Sequence, residues 1–410
     1  MRILVVTQYF WPETFRINEL VEMFTDQGHD VHVLTGIPNY PSGTVFPEFS
    51  RDPSRYLQWK GAEITRVPMS ARQTGRIRLV VNYATFAFSA SIVGLWKLRK
   101  HKFDAVFAYE PSPITVGIPT MVMRFAKRAP SCLWILDLWP ETPHALGMLN
   151  NRWLYRLTES LVKVIYRWTD LLLVQSPGFE KAVRKYTPAD KPVRYFPSWA
   201  DAVFDGPLPD PAPEVAGDPD VFSVLFAGNI GEAQDFESIL RTAELLKARA
   251  DIRFLIVGDG RQLDWVTREI EVRGLASQVL LLGRHPVDRM PEFFAHADAL
   301  LVTLRPDPVF SATIPAKVQA YMASGIPIVG LLDGEGADAV MRWECGLVAR
   351  AGDAAGLANA ITTLADSDTE TLTRMGDNGR RGAAAEFNRH DLVDELLGWM
   401  SELVEGRRKS

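Results

Sequence analysis

Apolar positions in this chain fall mostly in short continuous runs, at Ile3–Val6, Val31–Leu34, Ala105–Ala108, Leu133–Leu136 and Leu171–Val174, with Glu63–Val67 as a further strand candidate. Runs this short and this apolar suit strands buried on both faces of a parallel sheet. Between them the spacing turns helical, as at Leu20, Val21 and Phe24, and Gly28 stops that first helix before the second strand. A second series begins at Val221, with strands predicted at Phe222–Phe226, Arg253–Val257, Val279–Leu282, Asp298–Val302 and from Ile328. Asp205 to Asp220, rich in Pro, Asp and Gly, reads as the linker. The pattern predicts an α/β chain of two Rossmann-like domains with a deep cleft between facing loops. The first domain covers 1–200, the linker 201–220 and the second domain 221–385, with a C-terminal helix in 386–410 packing back toward the first domain.

Ligands of open α/β sheets gather beyond the carboxyl ends of the strands, so the chemistry is sought in those loops. From Phe310 to Gly330 the order is loop, short helix and strand, with Ile314, Pro315 and Ala316 at the turn into the helix and Lys317 just inside it. A helix N-terminus with a full lysine charge beside it suits a diphosphate, although a solvated lysine on an ordinary βαβ connection reads the same way. At Gly228, Asn229, Ile230 and onward to Gln234, glycines at a strand-to-helix turn let the backbone approach a phosphate, and also occur simply to pack strand on helix. In the first half, the loop from Gln8 to Asn18 brings Arg16 and Asn18 to the predicted cleft, with capping or salt bridging as the plain alternative. Glu110 and, further on, Asp137, Glu141 and His144 sit in Pro-rich loops after strands, where carboxylates serve as bases or accept sugar hydroxyls. Asp137 also suits an N-cap, and His144, like His29 and His32, suits a structural role.

The segment Ile77 to Leu98 departs from this rhythm. It carries Val80, Val81, Tyr83, Phe86, Phe88, Ile92, Val93, Leu95 and Trp96, and no acidic residue occurs from Ile64 to Phe103. Arg66, Arg72, Arg76, Arg78, Lys97, Arg99, Lys100 and Lys102 flank it. A spanning helix would interrupt the first domain between two of its strands; a buried domain helix and a helix lying on an anionic membrane surface both remain. Charge sharpens the choice. The net charge of −5 splits into +9 for residues 1–199 and −14 for 200–410, so the first half is the one to meet an anionic surface. Nucleic acid is not an expected partner. Cys132 and Cys345 offer no metal spacing, and the Asp-x-Asp pairs Asp218/Asp220 and Asp366/Asp368 fall in a linker and between helices, so neither a metal nor another cofactor is expected. The apolar stretch after Arg2 is only Ile3–Val6, too short for a secretory signal, and a cytoplasmic location follows as an expectation.

Read together, Gln8-Tyr9-Phe10-Trp11-Pro12-Glu13, Phe15-Arg16-Ile17-Asn18, Leu34 to Pro41, Asp137-Leu138-Trp139-Pro140-Glu141, Ser176-Pro177-Gly178-Phe179, Gly228 to Glu232 and Ile314-Pro315-Ala316-Lys317 resemble, in this order and over essentially the whole chain, the retaining family-4 glycosyltransferases of the GT-B fold. The resemblance is nearer to their WbuB-like branch of bacterial surface-polysaccharide enzymes. It implies that the second domain binds a nucleoside-diphosphate sugar, UDP-linked, with Gly228-Asn229-Ile230 and Pro315–Lys317 at the phosphates and Gly283-Arg284-His285 near the base. It also implies a lipid-linked polyprenyl-diphosphate saccharide as acceptor on the first domain, Asp137 orienting sugar or acceptor, and a peripheral place on the inner membrane face. Two departures stand out: the family's Arg and Lys around the glycine turn are Asn229 and Gln234 here, and its two glutamates seven residues apart align near Ala312 and at Ala320. Other readings on this scaffold are a glycosyltransferase acting on a soluble natural-product aglycone, a nucleotide-sugar 2-epimerase and a non-catalytic nucleotide-sugar-binding partner.

Overall fold

The apolar runs form the strands of two parallel sheets, each in its own unit of the chain: Met1–Pro197 with His390–Ser410, and Ser198–Arg389. The computed structural model describes residues 1–73 and 75–409, with the side chains of Arg76 and Lys409 outside the description. The first unit holds β1 (Arg2–Val6), β2 (Asp30–Thr35), β3 (Gln58–Trp59), β4 (Ala62–Arg66), β5 (Ala105–Glu110), β6 (Ser131–Ile135), β7 (Leu171–Val174) and β8 (Val193–Tyr195), in the order β3-β4-β2-β1-β5-β6-β7-β8. Among the described residues only the β3–β4 pair is antiparallel. Val5 pairs with Val33 on one side and Phe107 on the other, and all three are fully or almost fully buried. Continuous burial of this kind requires helices on both faces, which explains why the strands read as unbroken apolar runs.

The second unit holds β9 (Phe222–Ala227), β10 (Ile252–Val257), β11 (Val279–Gly283), β12 (Ala299–Thr303), β13 (Ile328–Leu331) and β14 (Gly346–Ala349), all parallel, in the order β11-β10-β9-β12-β13-β14. Alternate residues of β9 feed two cores: Val224 and Phe226 face one, Leu225 and Ala227 the other. In both sheets the strand order reverses once near the middle, between β1 and β5 and between β9 and β12. Loops diverge at such a point and leave a crevice at the carboxyl ends of the strands.

Segment 77–98 is a helix, Arg76–Ser89, continued by a π-helical turn, Ala90–Gly94, and Leu95–Lys97. Ile77–Lys97 is long and apolar enough to cross a membrane by length and composition, yet it links β4 to β5 and a third of it is buried. Phe86, Ala90 and Leu98 are fully buried, and Asn82 accepts from Gln8 Nε2 at 2.7 Å while donating to the Ser70 carbonyl at 2.6 Å. The opposite side exposes Ile77, Val80, Phe88, Ile92 and Trp96. The C-terminal helix Arg389–Lys409 belongs mostly to the first unit, where Trp399 meets Phe196 edge-on and Asp394 accepts from Gln27.

Candidate active site

The reversal in the second sheet puts the loops after β9 and β12 side by side, and they carry Gly228–Gln234 and the approach to Pro315. Tyr321, buried in the helix Ala316–Ser324, locks the two together: its hydroxyl accepts the Ala227 N–H at 3.1 Å and lies 3.4 Å from the Ala227 carbonyl. On that platform Lys317 lies across the ring of Phe226, its Nζ 3.5 Å from the ring centre, and donates to Gln234 Oε1 at 3.0 Å. Gly228 adjoins it with φ +140, a conformation that requires glycine, and a Cβ there would stand 2.7 Å from Lys317 Cε and displace that side chain. Behind it a Cβ on Gly258 would stand 1.8 Å from the Gly228 carbonyl oxygen.

Among the described residues no carboxylate pairs with Lys317, and burial pushes its pKa well below that of a free lysine. Burial alone disfavours the ammonium form, and an anion beside it favours that form. The helix behind it has Pro315 at its N-cap and no side-chain cap; the Val318 N–H donates to the Pro315 carbonyl at 2.8 Å, which leaves the Ala316 and Lys317 N–H groups open among the described residues. Lys317, two open helix N–H groups and a glycine turn meet here, an arrangement that can receive an anion.

The remaining residues singled out around that corner divide into contact-ready and structural ones. Asn229 and Ala316 are exposed, and Arg284 is exposed without a partner among the described residues. Ile230 and Ile314 are core residues, and the Ile230 backbone bridges Asp259 and Gln262. Gly283 accepts the Gly258 N–H at 2.7 Å, while His285 holds the Leu282 carbonyl at 2.9 Å and packs 4.4 Å from Phe293. Ala320 packs against the core, and next to it Gln319 is fully buried with neither amide atom bonded. Sequence reasoning passed over Gln319, Phe226 and Tyr321, because each sits in an ordinary apolar or helical context.

In the first unit the reversal lies between β1 and β5. Its hub is Glu13, whose buried carboxylate accepts the Asn39 and Tyr40 N–H groups at 2.7 Å each and the Phe10 N–H at 3.2 Å, stapling the loops after β1 and β2. Burial pushes Glu13 up to about 7, with those donors and Arg66 pulling against it. Asn18 spends its amide on the same loop, accepting from the Trp11 N–H and donating to the Glu13 carbonyl, and Arg16 bridges Glu19 at 2.9 Å.

Register brings two further carboxylates together: Glu110 ends β5 opposite Ile135, and Asp137 lies two residues beyond. Glu110 is fully buried with neither carboxylate oxygen bonded, and burial, reinforced by the Asp137 charge, raises its pKa well above the carboxylate range. Asp137 is pushed up to about 6 by burial, with the Thr142 and Ser112 hydroxyls and the Leu138 N–H pulling against it. Burial therefore pushes both carboxylates toward the protonated form, Glu110 more strongly than Asp137. Asp137 does not cap the next helix, Glu141–Ala145, whose N-cap is Pro140. Glu141 accepts from the Tyr186 hydroxyl at 2.5 Å, and His144 is held at the Leu149 carbonyl and edge-on to Tyr155. The Asp-x-Asp pairs are local fittings: Asp218 accepts the Asp220 N–H, Asp366 pairs with Arg249 and Asp368 caps a helix.

Two parallel-sheet Rossmann-like units, each with its polar loops at a strand-order reversal, make this a GT-B fold. Residues 14–199 match the family described as glycosyl transferase 4-like domain and residues 221–367 the one described as glycosyl transferases group 1; the chain belongs to this glycosyltransferase family. Among curated relatives, it is 25% identical over 349 residues to WcaI of Escherichia coli, a glycosyl transferase assigned to colanic acid biosynthesis, covering 79% of this chain and 82% of that one. It is 24% identical over 363 residues to the 2-deoxystreptamine glucosyltransferase of Streptomyces kanamyceticus, covering 84% and 89%. Among solved structures, Anabaena HepE in complex with UDP and glucose superposes with a TM-score of 0.66 at 17% identity, covering 98% of this chain and all of that one.

Proposed function

We propose that this chain is a retaining, metal-independent glycosyltransferase that moves a hexose, deoxyhexose or N-acetylamino sugar from a UDP-linked donor to a lipid-linked saccharide in surface-polysaccharide assembly. The observation that carries the reading is the corner formed by Gly228, Gln234 and Lys317 over Phe226: a lysine with no carboxylate partner among the described residues, beside a helix start with two open N–H groups. Such a lysine is costly until an anion arrives, and a diphosphate supplies that anion. As the sugar C1–phosphate oxygen bond breaks, negative charge grows on the diphosphate, and Lys317 with the first-turn N–H groups stabilises it. The acceptor hydroxyl oxygen bonds to C1 from the same face and its proton passes to a donor phosphate oxygen. Asp137, ionised above about pH 6, accepts hydroxyl hydrogen bonds and orients the sugar or the acceptor.

The lipid-linked acceptor and a peripheral place on the inner membrane face are supported by the exposed apolar side of Ile77–Lys97, which has Arg78, Arg99 and Lys100 beside it and Arg99 stacked over Trp96. A soluble aglycone as acceptor is the second reading, favoured by the similarity to the 2-deoxystreptamine glucosyltransferase. The test is a thermal-shift and mass-spectrometric screen against nucleotide sugars, with and without a polyprenyl-diphosphate saccharide. The expected result is stabilisation by one donor and transfer of its sugar to the lipid acceptor. Conversion of the donor without any acceptor overturns the transferase reading, and transfer only to soluble aglycones moves it to the second one.

A further inference from the structure

The helix Arg152–Trp168, between β6 and β7, leaves a row of large apolar side chains uncovered. Val162, Ile165 and Tyr166 enter the core, whereas Trp153 is 70% exposed, Leu157 54%, Val164 46% and Trp168 44%. These four recur at spacings of four, seven and four residues and so form a single stripe along the helix. Arg152, Arg156, Lys163 and Arg167 repeat the same spacings one residue earlier and are all exposed, making a basic stripe alongside the apolar one. The helix has one acidic residue, Glu159, which pairs with Lys163 within the helix at 2.7 Å. Half-exposed Phe125, on the helix Gly117–Lys127, meets Trp168 edge-on at 5.2 Å. That helix also packs against Arg76–Ser89 and its π-helical continuation, so the stripe lies in the same helical layer as the basic apolar segment.

We infer that the Arg152–Trp168 helix is a second docking face for an anionic lipid bilayer. Charge complementarity selects the occupant: a parallel run of cations suits a plane of anionic headgroups, and tryptophans near the two ends of the apolar stripe suit the headgroup boundary. The distance from Trp153 to Trp168 along the axis is about 22 Å, so the contact is a line rather than a point. Two such lines on one layer hold the first unit against rolling, which a single helix permits. The inference rests on the membrane reading of segment 66–102 proposed above.

The experiment is flotation of the full chain with vesicles of phosphatidylcholine, with and without about one third phosphatidylglycerol. The triple variant Trp153→Gln, Leu157→Gln, Trp168→Gln is expected to lose vesicle partitioning by about tenfold or more. Replacing Arg152, Arg156 and Arg167 with Gln is expected to remove the preference for anionic vesicles. Deuterium uptake of residues 152–168 in the wild-type protein, expected to fall on vesicles, keeps the inference testable if the triple variant does not fold. Unchanged partitioning in the triple variant, with loss in Phe88→Gln, Trp96→Gln, overturns this inference and keeps the membrane reading. A wild-type chain that never floats overturns both. A dimer that the triple variant abolishes while vesicle binding stays intact assigns the face to a second copy and likewise overturns the inference.

Discussion

The two strand-order reversals bury titratable groups of the type opposite to the net charge of the halves that surround them. The basic first half closes its reversal around the carboxylates Glu13, Glu110 and Asp137, while the acidic second half closes its own around Lys317. Net charge reports what the outer surface meets, because exposed charges act through screened water. The few groups withdrawn from water report what the site meets, because there each charge must find its own partner. Under the proposed function, the first unit meets an anionic surface outside and sugar hydroxyls at its reversal, and the second unit meets an anion at its own.

Lys317→Met breaks the comparison most directly. Nucleoside-diphosphate binding by calorimetry should disappear and turnover fall by about a hundredfold or more, as when an electrostatic stabiliser of a leaving group is removed. The same variant should melt no lower than the wild type, since a buried cation without a counter-charge costs stability. A lower melting point with intact binding would make Lys317 a structural residue. Gly228→Ala comes next: its Cβ would stand 2.7 Å from Lys317 Cε at φ +140, and donor affinity should fall by about tenfold or more.

Asp137→Asn tests the other reversal. Turnover should drop by about tenfold to a hundredfold with donor affinity nearly unchanged, because an orienting acceptor of the reacting sugar is lost. The pH profile sharpens this. Asp137 is raised by burial to about 6, so the active ionised form grows as pH rises through about 6, and that acid limb should vanish in the Asn variant. Lys317 moves oppositely: its pKa is depressed, a bound diphosphate raises it, and donor binding should take up a proton and weaken as pH rises toward the alkaline range. Binding without proton uptake would mean that the lysine is already charged. The smallest effect is expected on the outside. Replacing any one of Arg78, Arg99 and Lys100 with Gln should lower partitioning to anionic vesicles by about fivefold, at about 1 kcal/mol per residue near the surface. Equal binding would leave segment 77–98 as a domain helix only.

Much of this was legible in the chain because the signals are local. A buried parallel strand must be apolar on both faces, so β1, β5, β6, β7 and the strands of the second sheet stand out as runs. The turns at Gly228 and Pro315 carry residues whose backbone preferences are local too. Asn18 and Glu13 mark where this stops: both belong to the first motif, but nothing in it says that Asn18 is spent on the loop or that Glu13 gathers N–H groups from Asn39 and Tyr40.

The amino-acid sequence by itself determined the alternation of elements, the two-domain α/β class, the family and the short list of loops, since each depends on neighbours a few residues apart. Only the tertiary structure decided that Gln234 meets Lys317 across 83 positions, that Glu110 is sealed beside Asp137, and that the helices 77–97 and 152–168 keep one apolar side uncovered. Burial sets the charge state of a lysine or a carboxylate, and burial is a property of everything packed around a residue rather than of its place in the chain.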